Sequence, residues 1–204
     1  EGSILAPQWG VSAELLVGNH NIEIGTGYQY ADKLNNRSKG SRDKRVTKIN
    51  GTIVKNQAEL GQYTSAQWLT PQMDRLFIEG ASGRRRFLDQ IICGLDPGHA
   101  GPIAAYEHSL RNRNKLLQEG IQDLRWLSSI EGSIARHGVA IAVRRLEAIE
   151  RLQVVCGHNN GSFPGSLIKM VGKVESWLLA EPALVVEDRL QAALRDSRNK
   201  DANS

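Results

Sequence analysis

The sequence is short of two features that often reveal a protein's setting. It has two cysteines in 204 residues, Cys93 and Cys156, far apart and single. A disulfide framework uses more of them, so a reducing, cytoplasmic setting is expected. It has no apolar run near the ~18 residues that a membrane-spanning helix needs, and no secretory leader is expected. It also lacks a complete catalytic motif. The segment GSLIKMVGKV, Gly165 to Val174, has the wrong spacing for a phosphate loop, and Val174 stands where a metal-binding hydroxyl is required. His20, His99, His108, His137 and His158 include no pair at the i, i+4 spacing of a helical zinc site. They are expected to be surface or internally satisfied histidines. Cys156-Gly157-His158 has no matching second half, and there is no Gly-x-Ser-x-Gly elbow. The carboxylates are scattered through helical stretches and are expected to be solvated faces.

What remains is a chain with 40% hydrophobic residues, enough for one ordinary domain or two small ones. The net charge is +4 and the pI about 9.2, compatible with an anionic partner such as nucleic acid without requiring one.

The first seventy residues read as β-rich. Val11–Val17 and Asn21–Gly25 flank a turn at Gly18-Asn19-His20. Arg45–Ile49 alternates, and Asn50-Gly51 separates it from Thr52–Val54, a strong hairpin signal. Asn56–Gln62 predicts a short helix or turn, and Ala66–Leu69 a further strand ended by Pro71. Ala31–Lys44 carries no apolar period and predicts a mobile polar loop. From Pro71 onward the pattern turns helical. Gly83–Gly94 predicts one helix opened by Ser82 as N-cap, and Asp96-Pro97-Gly98 a break. Pro102–Gln118 predicts a second helix. A third, of about thirty residues, carries Leu124 to Leu152 at the 3.6 period, with Gly132 and Gly138 as a candidate bend. Gly157–Gly165 is a loop, Ser166–Val171 a candidate strand, and Glu187–Arg198 a final helix before a frayed polar end. The fold class is therefore α+β. A small β-rich lobe, residues 1–75, precedes a mainly helical arm, residues 76–204.

Two basic clusters stand out. Lys33–Lys48 includes Arg42, Lys44 and Arg45 and suits phosphate neutralisation. A solvated loop is the competing reading, and no aromatic residue interleaves to stack on bases. The other cluster is SGRRRFLDQ, which puts Arg84, Arg85 and Arg86 in the first turn of a helix, where the helix dipole mildly disfavours cations. Arg85 and Arg86 have Asp89 within i+4 and i+3 reach, which accounts for part of the triplet. An anionic partner accounts for all of it.

WLTPQMDRLF (Trp68–Phe77) followed by GASGRRRFLD (Gly80–Asp89) closely resembles the RecF family of bacterial DNA repair proteins. So do IEIGTG (Ile22–Gly27), KING (Lys48–Gly51), AYEHSLRNRNKLL (Ala105–Leu117) and FPGSL (Phe163–Leu167), in the family's order. The resemblance implies a partial ABC/SMC-type ATPase head lobe followed by a helical arm, or lid. For the intact family it implies ATP with magnesium, an ATP-dependent homodimer, and binding to single-stranded and gapped double-stranded DNA. It further implies work with RecO and RecR to load RecA, in recombinational repair, replication and the SOS response. Under the resemblance the Walker A loop would precede Glu1, and the signature and Walker B would follow Ser204. The chain alone is then expected to be inactive as an ATPase and to need no cofactor. Gln72, at the junction of lobe and arm, is the candidate Gln-loop residue of the ATP site. Arg42, Lys44, Arg45 and Arg84–Arg86 are the DNA or anion candidates, and no metal ligand is expected. The alternative reading is a helical protein-interaction module without nucleic-acid binding.

Overall fold

The computed structural model describes residues 9–29, 44–54, 57–68, 70–120, 123–158, 161–162 and 164–203. The chain divides into two compact units, Glu1–Ala66 and Gln67–Ser204.

The first unit is a four-stranded antiparallel meander of β1 (Gly10–Val17), β2 (His20–Gln29), β3 (Lys44–Ile49) and β4 (Thr52–Val54), neighbours in chain order. Both short turns follow from glycine chemistry. Gly18 is at φ +61° in the first central position of a two-residue turn between Val17 and His20, so β2 starts one residue earlier in the turn than the sequence suggested. Asn50 and Gly51, at φ +48° and +76°, form the β3–β4 turn that only such residues take without strain. Asn50 also ties that turn to β2: its N–H donates to the Glu23 carbonyl at 2.8 Å, and its Oδ1 accepts from the Glu23 N–H at 2.9 Å. Among the described residues of this unit Ile22 and Thr47 are buried, whereas Val11, Leu16 and Ile53 are exposed. A 3-10 turn spans Gln57–Gln62 where a short helix or turn was expected.

The second unit is helical. Its elements are α1 (Ala81–Leu95), α2 (Ala100–Gln118), α3 (Leu124–Cys156), α4 (Lys173–Leu178), α5 (Ala183–Asp196) and α6 (Arg198–Asp201). The 33 residues of α3 make a rod about 50 Å long at 1.5 Å per residue. Asp123 caps it by accepting from the N–H groups of Arg125 and Trp126. Its apolar period buries Leu127, Ile134, Ala135, Val139, Ile141, Ala142 and Ala148 against the other helices. Near the far end, Leu88 and Ile92 of α1 pack on Ala148 with Ile149, Leu152 and Met170 around them. Gly132 and Gly138 do not break α3. They let neighbours close in: a Cβ on Gly138 would lie 3.2 Å from Tyr106 of α2 and 3.4 Å from Leu190 of α5, and one on Gly132 would lie 3.3 Å from Gln191.

Several expectations are corrected. Of the expected strand Ala66–Leu69, residues 66–68 are not a strand and Leu69 lies outside the described residues; 164–172 form no strand and pair in no sheet among the described residues. Ser82 is not the N-cap: Gly80 takes that place in extended geometry, and Ser82 falls inside the first turn. α5 starts at Ala183 rather than Glu187. Its first turn buries only Val186 and leaves Leu184 and Val185 exposed, which blurs the apolar period. The polar end is not frayed throughout, since Arg198–Asp201 is helical and held by ion pairs.

Candidate anion-binding site

The triplet of α1 separates into different roles. Arg84 is half-buried, and its Nη1 donates to the Glu79 carbonyl, so it fastens the turn that leads into the helix. Arg85 and Arg86 are exposed, and no hydrogen bond or ion pair joins either to another described residue. The expected pairing with Asp89 does not occur, because Asp89 faces inward. Arg145 of α3 grips it in a fork, Nε to Oδ1 at 2.8 Å and Nη2 to Oδ2 at 2.6 Å, and His99 Nε2 lies 3.1 Å from Oδ1. A bidentate, largely buried guanidinium–carboxylate pair outweighs an exposed helix-face pair, which is worth only tenths of a kcal/mol. Two cations thus have no partner among the described residues at the positive end of a fifteen-residue helix, a local cost that nothing in the described structure offsets.

In the β unit, Arg45 is exposed on β3. Its Nε donates to Thr26 Oγ1 at 3.1 Å, and its guanidinium lies 6.0 Å from the centre of the Trp9 ring. This is an aromatic neighbour that sequence spacing does not reveal, because register places Arg45 opposite Tyr28, beside the start of β1. Lys44 opens β3, but its side chain lies outside the described residues, as does all of Arg42. Gln72 belongs to the 3-10 turn Pro71–Arg75, and its side chain is likewise outside the described residues. Among the described residues no cluster of His, Cys, Asp or Glu could hold a metal ion.

One carboxylate expected to be solvated, Glu131, is instead buried at the centre of a polar network in the arm. Glu131 is fully buried. It accepts from Arg113 Nε at 3.1 Å, from Arg198 Nε at 2.9 Å, and from Arg198 Nη2. Arg113, 2% exposed, also donates to Asp201 Oδ2 at 2.8 Å, to the Leu194 carbonyl and to Ser197 Oγ. The Ser197 hydroxyl, and next the Arg113 guanidinium, hold the Asp201 carboxyl below its ordinary range. The hydrogen bond to Glu131 raises Arg198 above its own. Burial, and then the nearby Asp89 and Asp96 carboxylates, push the Cys93 thiol up, away from reactivity. His99 is fully buried and satisfied at Nε2, while its Nδ1 has no partner among the described residues. The sequence carried one signal for these groups: Arg113 and Glu131 fall on the apolar faces of their helices.

No protein-family model matches the chain. It is 37% identical over 182 residues to the DNA replication and repair protein RecF of Mesorhizobium japonicum, covering 88% of this chain and 46% of that protein. It is 35% identical over 202 residues to RecF of Rhizobium rhizogenes, covering 98% of this chain and 52% of that protein. This chain is a RecF-family segment. It spans about half the length of the curated RecF relatives it matches. Among solved structures, the recombination mediator protein RecF-ATPrS of the RecFOR pathway superposes with a TM-score of 0.73 at 19% identity, over 96% of this chain and 51% of that one. RecF-ATP of the same pathway superposes with a TM-score of 0.65 at 21% identity, over 90% of this chain. At those identities the likeness is one of fold, and the fold is the α+β one expected. No helix among the described residues is long and apolar enough to cross a membrane.

Proposed function

We propose that the chain serves a RecF-like protein of DNA replication and repair, with Arg85 and Arg86 contacting DNA phosphates. The identity to proteins of that name along 88% of the chain carries the reading. The two unpaired arginines supply its chemistry. Residues 1–75 are read as the partial head lobe and 76–204 as the arm, with the compact units dividing slightly earlier, at Ala66. Arg42, Lys44 and Arg45 form a second basic contact, in the β lobe.

The reading extends to the family's finer properties. These are preference for gapped DNA, RecA loading with RecO and RecR, the SOS response, ATP-dependent dimerisation with magnesium, and a cytoplasmic site of action. ATP chemistry belongs to the parent and not to these residues. At Gly172, in the segment whose spacing fails the phosphate-loop pattern, the Glu175 carboxylate closes on the backbone and would repel a phosphate. Gln72 is the one residue here assigned to the nucleotide site.

The test is charge reversal at Arg85 and Arg86 together in the full-length protein, read by fluorescence anisotropy on a gapped duplex across a salt series. Loss of affinity is expected, with the salt slope shallower by about one per phosphate contact removed. Unchanged affinity and slope would refute the assignment.

A further inference from the structure

The segment 166–171, expected as a strand, pairs with no strand among the described residues. Its neighbour is a side chain. Gln153 of α3 accepts the Ile168 N–H at its Oε1 (2.6 Å) and donates from Nε2 to the Ser166 carbonyl (3.1 Å). The Ser166 N–H reaches the Cys156 carbonyl at 2.7 Å. One amide group thus bonds residues i and i+2 along one edge, as a neighbouring strand does. Gly172, at the end of the segment, is extended, at φ −166° and ψ 157°.

In an extended chain the N–H and C=O groups of successive residues face opposite edges. Ser166 and Ile168 therefore claim the edge toward α3, and Leu167, Lys169 and Val171 face the other. No hydrogen bond joins the backbone of Leu167, Lys169 or Val171 to any described residue. Side chains alternate in the same sense. Ile168 and Met170 are half-buried, Met170 against the Leu88–Ile92–Ala148 core, while Leu167 is 74% and Val171 93% exposed. An open edge beside two bare aliphatic side chains is a place where strands add.

We propose that Leu167, Lys169 and Val171 pair with a β-strand from the part of the RecF-family polypeptide that this chain does not span. Length identifies the occupant. The chain covers 46% and 52% of two relatives and 51% of the RecF-ATPrS chain, so about half of each lies outside the match. A strand from that half satisfies the open edge, and the layer it belongs to covers Leu167 and Val171. The pairing rests on family membership and is independent of the DNA contacts proposed above.

Amide hydrogen exchange tests it, on this chain alone and on full-length Rhizobium rhizogenes RecF over the matched segment. The expected result is fast exchange at Leu167, Lys169 and Val171 in the chain, and exchange slower on the order of 100-fold at the matched positions of the full-length protein. Equally fast exchange in both overturns the proposal. So does protection in the chain alone that grows with its concentration, which would make a second copy the occupant. A chimera carrying this chain in place of the matched region of that RecF tests the edge itself. K169P, which removes one donor, abolishes the protection and K169A leaves it. Protection surviving K169P overturns the proposal. If the chimera does not fold, exchange in the natural full-length protein still decides.

Discussion

Replacing Glu131 by alanine would remove the one fully buried carboxylate that two arginines share. Arg113 would keep Asp201, Ser197 and the Leu194 carbonyl, but Arg198 would lose both of its bonds to Glu131, at a side-chain exposure of 15%. Breaking a buried pair on one side costs about 3–5 kcal/mol, because a desolvated charge is left without compensation. Arg198 opens α6, so the loss should release α6 and the end of α5 before the rest of the arm. For a protein of this size the cost corresponds to a fall in melting temperature of roughly 6–20 °C. The assay is thermal and urea unfolding followed by far-ultraviolet circular dichroism. Arg111→Ala is the matched control, since it removes an exposed i, i+4 pair with Glu107 and should cost less than about 0.5 kcal/mol. A Glu131→Ala chain that melts within about 2 °C of the native one would refute the claim that this network holds the helices together.

Asp89→Ala should loosen α1 from α3 by about 2–3 kcal/mol, by orphaning Arg145 and the one satisfied nitrogen of His99. Urea unfolding and exchange at α1 amides would show it. Gly138→Val should cost about 1–3 kcal/mol by pressing on Tyr106 and Leu190, and Gly101→Ala, with open space around it, should not destabilise. For acid the sign follows from Asp201. Its folded-state pKa lies below the ordinary 3.8, so its stabilisation is complete above that value and fades as pH falls through the lower folded pKa. Unfolding midpoints measured from pH 6 to pH 2 should fall below about pH 4, and less steeply in Asp201→Asn.

Local chemistry was legible where short-range rules govern it. Asn50-Gly51 announces its hairpin because few residues accept positive φ. The α3 rod follows from an apolar period sustained over about nine turns, and the RRRFLD run is specific enough to place the family. The candidate site was only half legible. That three arginines crowd a helix start is plain from sequence. That Arg84 is spent on the Glu79 carbonyl while Arg85 and Arg86 find no partner among the described residues is not.

The sequence by itself determined the α+β class, the order of sheet and helices, and the RecF kinship, because these rest on neighbours a few residues apart or on a run matched residue by residue. Tertiary structure alone decided which charges are buried and with whom. Asp89 meets Arg145 across 56 residues, and Arg113 meets Asp201 across 88. Tertiary structure also decided that Ser166–Val171, a strand candidate by sequence, pairs with no strand among the described residues. A strand is completed only by its neighbour, and spacing along a chain does not say whether that neighbour is present.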